Sequence, residues 1–291
     1  MRSLNSFKGI TALFLLYTAT TVLVARAQTI KTDSSLFSGT GNAQIWLSGH
    51  RGGYDCNLPE NSISLFSYTL NNSCRLPVLL EFDIRKSKNG TLFVMHDSTI
   101  DRTTNGKGKI TEIEDSYLET LFLIDRNGII TSEKIPRFID VLMHFKHQNV
   151  ILMLDGKGHV YKEVVSMVKK MDMEDKCIFL TFNETDTDDM GKSGIKSWIS
   201  VLAGSESEWK TNFEKVKNSA RILAYINRNT PQEVVNDIEK NRTGIMIDVN
   251  EVAVNNGKAF SREHYVELSR KYSLDIMITD FPVLVSRFFC N

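Results

Sequence analysis

The chain has 291 residues, 42% of them hydrophobic, which suits one large core and requires no second domain. Its 35 basic residues balance 35 acidic ones, for a formal net charge of +0. That balance excludes the electrostatic footprint of a nucleic-acid binder or of a protein held by charge on an anionic membrane, so recognition must be local.

Residues 1–27 read as a targeting segment. Arg2 and Lys8 give a basic start, Ile10–Val24 an apolar stretch and Ala25-Arg26-Ala27 an A-x-A cleavage site, so the mature chain is expected to begin near Gln28. An uncleaved membrane anchor is the competing reading. Threonines interrupt the run, however, and it is shorter than the roughly 20 residues of a spanning helix. Residues 28–44 then form an N-terminal extension and 45–291 the folded domain. Secretory entry predicts a secreted or lumenal protein and makes Asn71, Asn89, Asn183 and Asn241 glycan acceptors, since each opens an N-x-S/T sequon.

The folded part begins with a strand over Ile45–Ser48, then a helix over Asn61–Leu70 entered through Pro59-Glu60-Asn61. Strands follow at Leu79–Asp83 and Leu92–Met95, and helices at Ser116–Leu123 and Arg137–Lys146. Val150–Leu154 is the next strand, Tyr161–Met171 a helix with Val164, Val165 and Val168 on its apolar face, and Ile178–Phe182 another strand. This alternation predicts a parallel α/β barrel. Beyond it lie four more strand candidates, at Trp198–Leu202, Ile222–Ile226, Ile245–Val249 and Asp275–Thr279. That is one more than a closed eight-stranded barrel accepts.

Cys56, Cys74, Cys177 and Cys290 allow three disulfide pairings, and none has the CxxC spacing of a zinc site. Cys74 follows the first helix and Cys290 ends the last. Those helices are neighbours in a barrel, so Cys74–Cys290 is the expected bridge.

The polar chemistry concentrates between His50 and Asp101, at or near the ends of three apolar runs: His50 and Arg51, then Glu81 and Asp83, then His96 and Asp97. Ligands of α/β folds gather beyond the carboxyl ends of parallel strands. Glu81 and Asp83, two residues apart on a strand, share a face. Side by side, such carboxylates need a proton or a cation, and a hard divalent ion such as Mg2+ or Ca2+ suits oxygen ligands. An exposed strand end whose acids face water is the alternative. His50 and His96 each follow an apolar run; singly they would read as hydrogen-bonded structural residues, but as a pair flanking carboxylates they suit general base and general acid at a phosphodiester. The Gly-Lys-Gly of 106–108 lacks P-loop spacing, and no G-x-S-x-G elbow supports an acyl hydrolase.

The motifs HRG, PEN, ExD, HD and IDRTTNGKG, in this order, resemble the glycerophosphodiester phosphodiesterase family, whose members are metal-dependent (β/α)8 TIM barrels acting on glycerophosphodiesters or lysophospholipids. IPRFIDVL and VILMLDGKGH extend the resemblance, and Asp155-Gly156-Lys157-Gly158-His159 is similar to the animal membrane-glycoprotein branch. It is strong over residues 45–160 and weak afterwards. The closing ITDFP strand matches, but the family's WTVN strand has no clean counterpart, and 224–227 and 247–250 compete for its place.

The resemblance implies that Glu81, Asp83 and Asp155 hold one divalent cation and that His50 and His96 are catalytic. Lys157 would neutralise a phosphoryl oxygen, and Arg51 would clamp the phosphate or orient Glu60. Glu60 and Asn61 form a support for the loop carrying His50. The expected function is hydrolysis of a glycerophosphodiester to glycerol phosphate and an alcohol. Two rivals stand beside it: a lysophospholipase D or sphingomyelinase D-like enzyme on the same barrel, which brings peripheral membrane contact, and an inert lipid-binding barrel. Neither composition nor motif indicates an oligomeric state.

Overall fold

The computed structural model describes residues 37, 45–74, 78–219 and 221–290; the expected leader over 1–27 and extension over 28–44 lie outside the described residues, Phe37 excepted. The strands among the described residues are β1 (Trp46–Gly49), β2 (Val78–Lys86), β3 (Leu92–Val94), β4 (Ile151–Gly156), β5 (Cys177–Thr181), β6 (Trp198–Leu202), β7 (Ile222–Ile226), β8 (Gly244–Asp248) and β9 (Ile276–Thr279). The helices are α1 (Ile63–Asn72), α2 (Asp115–Leu118), α3 (Phe138–Phe145), α4 (Tyr161–Lys170), α5 (Glu184–Lys192), α6 (Glu206–Val216), α7 (Gln232–Lys240), α8 (Glu251–Val254), α9 (Arg262–Lys271) and α10 (Pro282–Phe289). Every strand except β3 runs parallel to its neighbours, and β1 pairs with both β2 and β9. The sheet therefore closes as the expected eight-stranded TIM barrel, with helices packed around it.

Strand alternation divides the core in two. On β2, Leu79 points into the barrel while Leu80, Phe82 and Ile84 pack outward against the helices; on β4, Ile151 and Met153 point in while Leu152 and Leu154 pack outward. The lower interior is filled by Leu79, Met153, Ile178, Trp198, Met246 and Ile276, with Phe37 edge-on to Trp46 and Trp198 at 5.3 and 4.9 Å. The same inward alternation carried further up the strands places Glu81, Asp83 and Asp155 at the mouth.

The surplus strand is β3, which the sequence reading counted within the barrel. It pairs antiparallel with β2, Ile84 opposite Val94 and Lys86 opposite Leu92. The Ser87–Thr91 connection is far too short for a parallel crossover, which takes about a dozen residues or more. Gly90, at φ +89, turns the hairpin. β2 overshoots the rim and β3 folds back, so that the Met95 N–H reaches the Asp83 carbonyl at 2.9 Å. His96 is thereby returned to the level of the carboxylates.

Two of the expected helices differ from the observed ones by more than one residue at an end. α1 begins after Ser62, whose extended backbone and Oγ, accepting from Leu65 N at 3.1 Å, cap it. The helix expected at Ser116–Leu123 ends at Leu118, because Leu123 is drawn into a hairpin in which its N–H donates to the Glu133 carbonyl at 2.8 Å. Cys74 and Cys290 form the expected disulfide between the ends of α1 and α10, while Cys56 and Cys177 are free thiols. No helix among the described residues is long and apolar enough to cross a membrane.

Candidate active site

At the C-terminal mouth of the barrel lies a cavity of about 500 Å3, and of the nine residues predicted for the site all but Asn61 line it. Asn61 stands behind the wall, where its Nδ2 donates to Asp83 Oδ2 at 3.0 Å. It thus acts on the loop and on a carboxylate at once.

Glu81 and Asp83 come from one face of β2, and Asp155 is the β4 residue in register with Asp83. The three are buried and offer oxygen atoms within 4.8 Å of one another. Burial, then the charge of Asp83, pushes Glu81 up to about 8 and Asp155 up to about 6. In Asp83, burial works against the charge, but Lys157, His96, Arg51 and the Asn61 hydrogen bond hold it below the ordinary carboxylate value. Lys157 Nζ lies 2.5 Å from Asp155 and 3.4 Å from Asp83, and Arg51 Nε 3.7 Å from Asp83. Glu81 makes no ion pair among the described residues and accepts only the Arg51 N–H, at 2.7 Å. Three buried oxygen ligands with too little positive charge around them fit a hard divalent cation.

Both histidines are tied by Nδ1 to a carboxylate, which leaves Nε2 for the cavity. His50, in the turn after β1, pairs with Asp280 Oδ1 at 2.8 Å. Burial disfavours its charge, yet the Asp280 hydrogen bond and the charges of Asp248 and Glu81 prevail and raise it to about 10. His96 pairs with Asp97 Oδ1 at 2.7 Å, but burial, Arg51 and Lys157 bring it below the ordinary histidine value. Arg51, at φ 50, turns the chain so that its N–H meets Glu81.

Several residues were not singled out from sequence. Arg102 bridges Glu60, at 2.7 and 2.8 Å, to Asp97, at 2.7 and 3.0 Å, and so links the support loop to the partner of His96. It lies inside the IDRTTNGKG motif, which was its available signal. Asp280 lies in ITDFP. Asp248, which ends β8, Asn250 just beyond it and Tyr225 of β7 complete a wall that contains no tryptophan among its described residues; Tyr54 and the edge-on pair Phe182 and Tyr225, at 5.1 Å, supply the aromatic surface.

The model of the glycerophosphoryl diester phosphodiesterase family matches residues 50–209, more than half the chain. Bovine glycerophosphodiester phosphodiesterase 1 is 30% identical over 128 residues, 43% of this chain and 37% of the relative. The glycerophosphodiester phosphodiesterase of Caldanaerobacter subterraneus subsp. tengcongensis is 28% identical over 164 residues, 53% and 64% of the two. The matched region thus spans well under half of the bovine relative. Among solved structures, a glycerophosphoryl diester phosphodiesterase from Parabacteroides distasonis shares the fold with a TM-score of 0.75 at 23% identity, covering 87% of this chain and 89% of that one. An Oleispira antarctica phosphodiesterase in complex with the product sn-glycerol-3-phosphate superposes with a TM-score of 0.65 at 17% identity, covering 84% and 96%. With barrel, histidine pair and carboxylate triad in place, the chain belongs to the glycerophosphoryl diester phosphodiesterase family.

Proposed function

We propose that this chain hydrolyses glycerophosphodiesters to glycerol phosphate and an alcohol, with His50 and His96 as the acid–base pair and one divalent cation, Mg2+ or Ca2+, held by Glu81, Asp83 and Asp155. The observation that carries this reading is the convergence, in one cavity, of a buried carboxylate triad and two carboxylate-backed histidines. The names of the matched relatives and the product bound to the Oleispira enzyme support it.

The cation, when bound, supplies Lewis acidity and offsets negative charge at the phosphoryl oxygens. Lys157 and Arg51 flank Asp83 and donate to the same phosphate. His50 takes the proton of the glycerol hydroxyl next to the phosphate, and His96 returns one to the departing alkoxide. A tethered hydroxyl gains up to about 7–11 kcal/mol over a free nucleophile in well-oriented cases, so ring closure precedes attack by water. Without cation and substrate the charge order of the histidines is the reverse of this division, with His50 raised and His96 lowered. Neutralising Glu81 removes one charge that raises His50, and a phosphodiester anion beside His96 raises the latter.

Turnover of a panel of glycerophosphodiesters with Mg2+, Ca2+ or Mn2+, read as release of glycerol phosphate, tests the proposal. No turnover with any pair would overturn it in favour of an inert lipid-binding barrel. Phe182 and Val252, apolar and 36% and 40% exposed at the rim, favour a second reading in which lysophospholipids enter from a membrane surface. Release of lysophosphatidic acid from such lipids would establish it. Passage through the secretory pathway is part of the proposal, supported by the Cys74–Cys290 disulfide.

A further inference from the structure

Beside the main cavity lies a lobe of about 200 Å3 between the ends of β2, β4 and β5, and the two share Asp155, Lys157 and Phe182. Its floor is set by the alternation of β2. Glu81, Asp83 and Arg85 are successive residues on one face, so Arg85 stands one step above the carboxylates. The Lys157 N–H donates to the Ile84 carbonyl at 2.9 Å, which places Arg85 beside Lys157 across the two strands. Lys157 leans inward onto Asp155 and Asp83. Arg85 does not. Its side chain's one hydrogen bond among the described residues runs from Nε to the His96 carbonyl at 2.6 Å, and its two terminal nitrogens carry no ion pair there.

The charges of Asp83, Asp97 and Asp155 act on Arg85 without a direct ion pair, and the acids that border the lobe are engaged with other partners. Asp155 faces Lys157 and the triad, and both oxygens of Asp186 are taken, one by His159 Nδ1 at 3.1 Å and the other by Asn183 Nδ2 at 2.5 Å. The lobe therefore presents the unpaired edge of a guanidinium, a fork suited to a carboxylate. Because the lobe opens beside Lys157, a phosphate held by Lys157 and Arg51 with its glycerol arm toward the triad would direct its other substituent into this space.

We infer that the lobe is a head-group subsite in which Arg85 reads a carboxylate on the substrate's leaving group, so that the preferred diesters carry an amino-acid head such as serine. This rests on the glycerophosphodiesterase reading above and adds the head-group class.

The test compares the full mature chain and its Arg85→Met and Arg85→Lys variants on glycerophosphoserine and glycerophosphoethanolamine, which differ by the carboxylate alone. The readout is the ratio of kcat/KM for the two, from which any general damage through His96 cancels. A charge-assisted bond of ordinary strength predicts a wild-type ratio of about 10 to 100 in favour of serine, collapse toward 1 in Arg85→Met and partial retention in Arg85→Lys. Binding of both diesters to His96→Ala, measured by calorimetry, should show the same preference and its loss with Arg85→Met. A wild-type ratio near or below 1, or a ratio unmoved by Arg85→Met, overturns the inference while turnover of either diester leaves the phosphodiesterase reading standing. Absence of turnover and of binding ends both.

Discussion

His50 Nδ1 lies 2.8 Å from Asp280 Oδ1, although 230 residues separate them in the chain. Barrel closure makes this contact, because His50 directly follows β1 and Asp280 directly follows β9, its neighbour in the sheet, where Gly49 pairs with Thr279. Asp280 is itself held: its Oδ2 accepts from Val252 N at 2.7 Å and its N–H donates to Glu251 Oε2 at 2.9 Å. Glu251 also accepts from Tyr265 OH at 2.7 Å and from Thr279 Oγ1. The imidazole thus has one orientation and, in its neutral form, one favoured tautomer, with Nε2 turned to the cavity.

Asp280→Asn should therefore lower kcat by about 10²- to 10⁴-fold at unchanged fold, because an amide no longer enforces that tautomer. The sign of the pH effect follows as well. The carboxylate raises His50, so its removal lowers the histidine pKa and moves the acid limb of kcat/KM to lower pH. A profile with an unmoved limb would remove Asp280 from the mechanism.

The triad predicts full dependence on a cation. EDTA should abolish turnover and restored Mg2+ or Ca2+ should recover it. Glu81→Gln, which keeps the shape and removes the least compensated charge, should weaken cation binding and lower activity at least 10²-fold while the far-ultraviolet circular dichroism stays the same. Full activity in excess chelator would dispose of the cation.

The division of labour between the histidines is separable by the leaving group. A glycerophosphodiester of p-nitrophenol needs no proton on departure, so His96→Ala should approach wild-type rates on it while His50→Ala remains impaired. Rescue of His50→Ala instead would exchange the roles. On natural diesters the two losses should be less than additive, because the pair works as a unit.

Much of this was legible because it is short-range. The i, i+2 rule placed Glu81 and Asp83 on one face of β2, and their joint burial with Asp155 follows from inward alternation on adjacent strands. The direction of β3 was not legible from periodicity, which marks an apolar run without orienting it; only the Ser87–Thr91 turn carried that information. Asp280 and Arg102 escaped because their roles depend on partners, His50 and Glu60, that only barrel closure and loop packing bring near. The weakly matched second half still folded as barrel strands, since Met246 and Ile276 need only be apolar and inward to fill the interior.

Reduction of Cys74–Cys290 should cost about 2–5 kcal/mol, because the bridge closes nearly the whole barrel and restrains the unfolded chain. The Cys74→Ser/Cys290→Ser variant should melt several degrees lower than wild type without a reductant and gain no further shift with one. Equal melting temperatures for the two proteins would show that α10 is held by packing alone.

The last prediction joins stability, pH and the cation. In the cation-free protein Glu81 is raised from 4.5 to about 8, Asp155 from 3.8 to about 6 and His50 from 6.5 to about 10. Each group then holds its proton more tightly folded than unfolded, so at any pH between its two values the folded state carries more protons. Stability must fall as pH rises through those windows, first from the carboxyls and later from His50. The His50 contribution is fully present below 6.5 and lost as pH rises through about 10. Asp83, held below its ordinary value, contributes in the opposite sense, but only at acid pH. Cation binding needs the carboxylates deprotonated, so its stabilisation grows over the same range in which the free protein weakens. Thermal melts in EDTA should therefore decline from pH 5 to pH 9, while the rise produced by saturating Mg2+ or Ca2+ should be small at pH 5 and larger at pH 9. Glu81→Gln should flatten the EDTA curve and shrink the cation-induced rise at pH 9. A melting temperature in EDTA that climbs with pH, or a cation effect equal at both ends, would mean that the triad does not carry the buried charge assigned to it.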